Sequence, residues 1–465
     1  MLSVAVLLVF LAGCLPPATP RPGGTLVVGT PDLPGLEARL LHAGLVSRDP
    51  WTQLLADGVA ESWEISGDGL TWTFFLKPGV ALADGTPLTS SIAAEHFLTL
   101  ADTSVDWLWL DRVETPDERT VVFSFIQASP GTLERHADPP GGIDGAGPFI
   151  LAERHEDRAV YRRSEEYRWG PSWSGNQGPA WLDGIVAVSI QDPVQGVEAL
   201  AAGELHVLEN LPAGLHGLAR ELPEVEILAG PELGLAYLAF RADRSPFDDV
   251  RVRRAVNLAI DRERLAELVG DGTHRPAYGL LPPAVAAALE DRDAHRHDLA
   301  TAHLLLSEAG CQGESEYTLA VTDGRLMEAA GIVAEMLELA GLRVRVERVD
   351  PEALAAADWQ LALLEYRWRD PDILEWLLVG SQSPHPNVSR WADPVLDLML
   401  REAAAAPRPG ERNDGYRDVQ RYLIDLCVWA PLWHPVALTA VRADLVRGYA
   451  PGHYLDVWLS GVETR

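Results

Sequence analysis

Residues 246–262 read Pro-Phe-Asp-Asp-Val-Arg-Val-Arg-Arg-Ala-Val-Asn-Leu-Ala-Ile-Asp-Arg and carry the clearest helix signal in the chain. Apolar residues recur there at three-to-four spacing, which puts them on one helical face, while the arginines fall largely elsewhere. Acidic residues at the start suit the positive end of a helix dipole. The pattern therefore predicts a helix that begins at Asp248-Asp249 and a second helix from Asp261. The apolar set is Val252, Ala255, Val256, Ala259 and Ile260.

Strand and helix patterns alternate on both sides of this stretch. A β-α-β unit is predicted at 317–321, 326–340 and 342–349, and a loop rich in glycine and proline at 131–148. Such alternation predicts an α/β architecture with partly parallel sheets. The other predicted elements are strands at 23–29, 70–76, 119–126 and 183–191, a helix at 90–100 with Thr89 as N-cap, and a helix at 193–202.

Size and charge limit the possible functions. The chain has 465 residues, 47% of them hydrophobic, which is enough for two or three lobes. Its net charge of −30 argues against binding to nucleic acid or to an anionic membrane surface, although net charge does not locate a site. The single lysine, Lys77, lies in Leu-Lys-Pro, so a P-loop nucleotide site is excluded.

The N-terminus is predicted to be a processing signal. Residues 4–12 form an apolar run too short to span a bilayer, and Leu11-Ala12-Gly13-Cys14 resembles the lipobox of bacterial lipoproteins. Residues 15–22 are rich in proline and suit an extended tether. We expect lipid attachment at Cys14; a buried N-terminal strand with a chance cysteine is the alternative.

Seven segments in colinear order resemble the peptide/nickel solute-binding family (family 5) of ABC importers. The 246–255 helix is close to the most recognisable segment of that family. Taken alone, the same residues are turn formers, core aromatics and an amphipathic helix, so they identify the fold and not a site. The other six segments are Leu55–Trp63, Gly67–Val80, Asp84–Thr89, Gly145–Phe149, Glu166–Gly170 and Pro431–His434.

The resemblance implies a periplasmic-binding-protein-like α/β fold, with two hinged lobes that enclose a ligand and an inserted smaller domain. It implies the function of an extracytoplasmic substrate-binding lipoprotein that captures peptides or a related small solute for ABC permease subunits. A monomer without cofactor, held at the membrane only by its lipid, is expected. The implied division is a signal and tether at 1–22, lobe I at 23–35 with 149–237 and 436–465, the inserted domain at 36–148, and lobe II at 238–435.

The resemblance also places a candidate ligand site in the segment Glu365-Tyr-Arg-Trp-Arg-Asp-Pro-Asp372. Peptide-binding relatives use an acidic residue in the matching segment to pair with the ligand's α-ammonium group. A carboxylate in a dry cleft offsets the desolvation of an ammonium, and an aromatic ring beside it adds cation–π attraction. Asp370 is the expected charge partner and Trp368 a wall of the site. The full predicted set is Asp370, Trp368, Tyr366, Arg367 and Trp391.

Two departures from the family pattern point away from a standard peptide. Arg367 and Arg369 occupy the neighbourhood of a further family aspartate, and Ala43 stands where the family carries a glutamate. Either arginine could favour a carboxylate instead. Asp370 could equally serve to cap a helix at Ile373–Leu378, and Trp391 could be a core residue.

Other function classes are less supported. The sequence contains thirteen histidines, but no Cys/His spacing suits a metal, and His295-Arg296-His297 is predicted to be a surface cluster, so nickel-chelate or haem binding is an alternative only by analogy. Catalytic motifs of serine hydrolases, zinc peptidases and dinucleotide enzymes are absent, which favours a non-enzyme. A sensory or scaffold lipoprotein on the same fold stays open. Cys311 and Cys427 are predicted either to pair or to be free buried thiols.

Overall fold

The computed structural model describes residues 20–103, 107, 109–128, 131, 133, 137, 141–311 and 315–460. The predicted lipidation site Cys14 and most of the predicted signal lie outside these residues, as does part of the predicted 131–148 loop. Among the described helices, none has the length and apolar character needed to cross a bilayer.

The strands follow the chain in short segments. They are β1 (Thr25–Thr30), β2 (His42–Ala43), β3 (Val46–Arg48), β4 (Leu55–Asp57), β5 (Ala60–Ile65), β6 (Thr71–Leu76), β7 (Leu110–Asp117), β8 (Thr120–Phe125), β9 (Ile143–Asp144), β10 (Phe149–Arg154), β11 (Arg158–Arg163), β12 (Gly184–Ser189), β13 (Val207–Leu211), β14 (Val225–Ala229), β15 (Gly234–Phe240), β16 (Arg275–Pro276), β17 (Glu316–Val321), β18 (Arg343–Arg348), β19 (Leu361–Arg367), β20 (Trp429–His434), β21 (Leu438–Arg442), β22 (Val446–Arg447) and β23 (Trp458–Leu459).

The α-helices lie between these strands. They are α1 (Leu33–Leu41), α2 (Ser90–Thr103), α3 (Pro193–Ala202), α4 (His216–Arg220), α5 (Val250–Ala259), α6 (Arg262–Gly270), α7 (Leu299–Glu308), α8 (Met327–Leu339), α9 (Ile373–Leu378), α10 (Pro394–Ala405) and α11 (Pro409–Asp425).

Two large sheets dominate the described residues. The seven-stranded sheet has the order β10-β11-β12-β1-β13-β21-β14, and β1 runs parallel to both β12 and β13. The six-stranded sheet has the order β16-β20-β15-β19-β17-β18, and the predicted β-α-β unit forms its parallel pair β17–β18 with α8 between them. The predicted α/β class is confirmed, because parallel neighbours are joined through helices.

A smaller antiparallel sheet, β5-β6-β8-β7, packs on the same hydrophobic core as the seven-stranded sheet. Helix α2 covers it: the Phe97 ring contacts the Phe123 ring edge-to-face, with centroids 5.4 Å apart. Thr89 Oγ1 accepts from the Ile92 N–H at 3.4 Å, so the predicted N-cap is confirmed, although this bond is long.

The helix predicted from residues 246–262 forms as α5, followed by α6. Asp249 and Asp261 cap the two helices by accepting backbone N–H bonds. The expectation that the arginines lie off the buried face is wrong for Arg253, which is 4% exposed. Its guanidinium donates to the carbonyl oxygens of Phe247 and Leu426, so burial is offset by hydrogen bonds.

The chain crosses between the two large sheets at 230–233 and 435–437. These crossings lie side by side, since the Gly230 N–H donates to the Ala437 carbonyl at 2.8 Å. The predicted lobe boundary at residue 237 falls inside β15, which pairs with β19 and β20 of the six-stranded sheet. All of β15, from Gly234 onward, therefore belongs to the six-stranded sheet.

Two expectations about single residues are resolved by burial. His295 is 2% exposed and its Nδ1 lies 3.0 Å from Asn257 Oδ1, so the predicted surface cluster is wrong for this residue. The buried Arg262 guanidinium donates to the His295 carbonyl oxygen at 2.8 Å, and this bond holds the loop around His295 in the interior. Cys311 and Cys427 are both free and buried, which fits the thiol alternative.

Candidate functional site

A cavity of about 550 Å³ lies where the two large sheets are joined. Both crossing segments line it, through Gly230, Pro231, Leu233 and Ala437. Helix α1 and the β13 strand contribute from the seven-stranded sheet, and the end of β19 contributes from the six-stranded sheet. The cavity is therefore built by both halves of the fold, a usual place for a small-molecule site.

One wall is a buried ion pair supported by two tyrosines. Arg39 Nη2 lies 2.7 Å from Glu209 Oε2, and the hydroxyls of Tyr454 and Tyr449 donate to Glu209 Oε1 at 2.5 and 3.3 Å. Burial by itself lowers the pKa of Arg39, but the Glu209 charge raises it overall. Burial and Glu209 together raise the pKa of Tyr454 well above its usual value, so it remains a donor. Arg39 therefore stays protonated beside Glu209.

A second group of contacts in the lining joins Arg369 to Gln53. Arg369 Nη1 donates to Gln53 Oε1 at 2.5 Å, and Arg48 Nη1 donates to the Gln53 carbonyl at 2.7 Å. Gln53 has a φ of 61°, a left-handed conformation that costs a non-glycine residue free energy. Asn210, also in the cavity lining, has a φ of 55°. Strained residues of this kind are often found at ligand sites.

An aromatic group closes a third side. The rings of Tyr167 and Trp169 lie 4.7 Å apart, and Trp169 Nε1 donates to the Ala146 carbonyl at 2.8 Å. Trp173 Nε1 donates to Ser47 Oγ at 2.9 Å, and its ring meets His453 edge-to-face at 4.4 Å. These bonds fix the indoles, so they offer rigid apolar surface to a solute.

Arg367, the last residue of β19, is the predicted site residue that lines the cavity. Its side chain is 48% exposed, and its Nε is 3.9 Å from Glu365 Oε1, a distance that makes a weak ion pair. Its charge adds to burial in lowering the pKa of His274 to about 4. Ala43, where the family pattern has a glutamate, also lines the cavity.

Asp370 lies outside the cavity lining and is completely buried. Its Oδ1 is 2.5 Å from Arg412 Nη2 and accepts the Asp372 N–H at 2.9 Å. The carboxylate thus has a protein cation as its partner and fixes the turn before α9, whose N-cap position is Asp372. The Arg412 guanidinium also lies over the Tyr416 ring, 5.0 Å from its centroid.

The other three predicted residues also lie outside the cavity lining and pack on the core of the six-stranded sheet. Tyr366 donates its hydroxyl to the Leu280 carbonyl at 2.6 Å. Trp368 Nε1 donates to Asp372 Oδ1 at 2.7 Å. The Arg253 guanidinium lies 5.1 Å from the Trp391 ring centroid, which gives Trp391 a structural contact. Strand alternation accounts for Tyr366, because neighbouring residues of β19 face opposite sides of the sheet and Arg367 lines the cavity.

Sequence reasoning missed most of the cavity. Arg39, Gln53, Glu209 and Tyr454 come from segments far apart in the chain, and no local pattern marks them. Glu209 alone carries a signal, as a carboxylate inside an otherwise buried strand.

Comparisons with known proteins agree with this architecture. The family model described as bacterial extracellular solute-binding proteins, family 5 Middle, matches residues 55–392. Heme-binding protein A of Haemophilus influenzae is 26% identical, covering 84% of this chain and 81% of that protein. Di/tripeptide-binding protein 2 of Pseudomonas aeruginosa is 25% identical, covering 89% and 87%. The crystal structure of the ABC transporter substrate binding protein CtaP from Listeria monocytogenes superposes with a TM-score of 0.82 at 21% identity, covering 95% of this chain and 100% of that one.

Proposed function

We propose, from the premise that this chain belongs to the bacterial extracellular solute-binding proteins of family 5, that it encloses a peptide-sized solute for an ABC importer. Capture takes place in the cavity between the two large sheets. The cavity supports this because its volume, about 550 Å³, is in the range of small-molecule sites. Release then requires the sheets to separate about the crossings at 230–233 and 435–437.

The observation that carries the proposal is the Gln53–Arg369 hydrogen bond. It joins residues 316 positions apart that belong to opposite sides of the cavity. A contact of this kind supports a closed form in which solvent has restricted access. A closed, partly dry cavity strengthens polar contacts to an enclosed solute.

We further propose the division of the chain that this mechanism uses. Lobe I comprises 23–41, so that it contains all of α1, together with 149–233 and 436–465; lobe II comprises 234–435, and residues 42–148 form the inserted domain. The revised boundary follows the pairing of β15 with the six-stranded sheet. The shared core of the small and seven-stranded sheets supports movement of the inserted domain together with lobe I.

Anchoring through lipid on Cys14, at the extracytoplasmic face, completes the proposal, with the protein acting as a monomer that presents its solute to the permease. A binding protein needs no catalytic group, and Glu209 supports this view since its carboxylate is held by three donors. Replacing Cys14 by serine should release the protein from the membrane fraction. Retention of the unlipidated variant in that fraction would contradict the anchor.

Capture is tested on residues 23–465, which contain every described strand and helix of the fold. Native mass spectrometry should detect a co-purifying or added peptide of two to four residues, and the unfolding midpoint should rise with its concentration by mass action. Arg369→Ala should weaken binding about tenfold, the size of one charge-assisted hydrogen bond. Arg421→Ala, a 58% exposed arginine outside the cavity, is the matched control. Turnover of the peptide would overturn the proposal.

A further inference from the structure

The charge of the cavity is opposite in sign to that of the whole chain. The net charge is −30, yet the described residues that line the cavity include more arginines than carboxylates. An acidic protein has no general reason to gather guanidinium groups in one concave site. The arginines are Arg39, Arg48, Arg367 and Arg369, and the carboxylates are Asp32 and Glu209.

Both of these carboxylates already accept hydrogen bonds from groups within the protein. Glu209 accepts bonds from Arg39, Tyr449 and Tyr454, and it is 5% exposed. Asp32 caps α1 by accepting the Gly35 N–H at 2.9 Å. Using Glu209 to bind an ammonium group would require breaking bonds that hold the wall together. The described lining therefore leaves neither carboxylate available to bind an ammonium group.

Two arginines, by contrast, have guanidinium N–H groups that remain available to bind a solute. A guanidinium carries five N–H groups, and the described side-chain partners of Arg39 are Glu209 and Tyr454, so N–H groups remain available. The Arg39 Nε is buried without a hydrogen-bond partner among the described residues, which is unfavourable for a polar group. Arg367 is 48% exposed, with Glu365 no closer than 3.9 Å.

These two arginines belong to different halves of the fold. Arg39 lies in the last turn of α1, whereas Arg367 ends β19 of the six-stranded sheet. A planar carboxylate is the group that a guanidinium binds with two parallel bonds. A solute with an acidic group can therefore gain contacts to both halves of the fold.

We propose that the cavity selects solutes that carry a carboxylate, bound by Arg367 and Arg39, and that a free ammonium group on the solute is not required. This inference rests on the proposed function and names its substrate class. Carboxylate recognition explains why the lining has more arginines than carboxylates. Peptide capture through an α-ammonium group does not explain this.

Four forms of one probe separate the two ends of a peptide: trialanine, N-acetyl-trialanine, trialanine amide and the doubly blocked form. Dissociation constants are measured by calorimetry on residues 23–465. We expect the two free carboxylates to bind within about twofold of one another and the two amides to bind at least tenfold more weakly. Arg367→Gln should weaken binding of the free carboxylates about tenfold and leave the amides unchanged, with Arg421→Gln as the control.

Each other outcome has a defined meaning. If the amides bind as tightly as the free acids, or if N-acetylation costs tenfold, the carboxylate inference is overturned and capture stands. If Arg367→Gln weakens all four forms equally while its unfolding midpoint is unchanged, Arg367 does not recognise the carboxylate. If none of the four forms binds, peptide capture itself fails, and the inference fails with it.

Discussion

Arg369 donates a hydrogen bond to Gln53 Oε1 across the cavity, with 2.5 Å between the two heavy atoms. Gln53 sits in a left-handed backbone conformation, at a φ of 61°, in the turn that joins β3 to β4. The strained turn thus carries a contact between the two sides of the site. This arrangement makes Gln53 a residue on which closure should depend.

Replacing Gln53 by alanine should speed dissociation of a bound peptide about tenfold. The change removes the side-chain acceptor of Arg369 and keeps the same backbone strain, since alanine also disfavours a positive φ. Stopped-flow tryptophan fluorescence, with Trp173 in the cavity lining, measures the rate. Gln191→Ala, an exposed glutamine bonded to Ser189, is the control. An unchanged dissociation rate would show that this bond does not hold the cavity closed.

Replacing Asp370 by asparagine should destabilise the protein and leave peptide affinity unchanged. Its carboxylate is 0% exposed and pairs with Arg412 at 2.5 Å, so the variant leaves a buried guanidinium without its counter-charge. The expected loss in the free energy of unfolding is about 3–5 kcal/mol, measured by urea denaturation.

A double variant, Asp370→Leu with Arg412→Met, serves as the check on this interpretation. Removing both charges should recover most of the lost stability, because no uncompensated charge is then buried. The opposite pattern, weaker peptide binding with normal stability in Asp370→Asn, would restore the ammonium-pairing role predicted from the sequence.

The stability of the protein should fall in acid partly through His295. Burial, with the nearby Arg262 charge, lowers the pKa of His295 to about 3, whereas an unfolded histidine titrates near 6.5. The unfolded state therefore binds the proton first, and stability present above pH 6.5 is lost as the pH falls toward 3. Between pH 6.5 and 5 the loss is about 2 kcal/mol.

Urea denaturation of His295→Gln at both pH values tests this. Glutamine keeps a donor for Asn257 but has no proton to gain. The free energy of unfolding of the variant should therefore fall less between pH 6.5 and 5, by about the amount attributed to His295. Equal pH dependence in the two proteins would show that His295 is accessible to protons in the folded state.

The thiols of Cys311 and Cys427 should be unreactive in the native protein. Burial raises the pKa of both, which keeps them in the less nucleophilic thiol form. On residues 23–465, an aromatic disulfide reagent should titrate two thiols only after denaturation, and reductant should leave the unfolding midpoint unchanged. A mass two units lower, restored by reduction, would reveal a disulfide instead.

Local sequence patterns were sufficient for the helices and strands that they predicted. The helix predicted from Asp248-Asp249 forms at Val250–Ala259, and the 193–202 helix has the predicted bounds. Their caps and apolar faces are set by residues within one or two turns, so the signal is contained in short windows. The family resemblance, carried by colinear motifs, is likewise confirmed by the match to residues 55–392.

The site was less predictable, because neighbouring residues on a strand face opposite ways. Within one predicted segment, Arg367 reaches the cavity, while Trp368 and Asp370 lie in the core. Family analogy pointed to the end of β19, where Arg367 lines the cavity, but it did not say which side chains face the cavity. The prediction that Arg367 or Arg369 could favour a carboxylate on the ligand stays a prediction, now supported by the position of both in the lining.

The sequence by itself determined the α/β class, the alternation of elements and the family, since each depends on local spacing or on the order of motifs along the chain. Only the tertiary structure decided the wall formed by Arg39 and Glu209, which are 170 residues apart, and the contact of Arg369 with Gln53, 316 residues apart. Such pairs form because two crossings, at 230–233 and 435–437, bring two sheets together around one cavity. Burial and charge in that cavity come from the packing of distant segments.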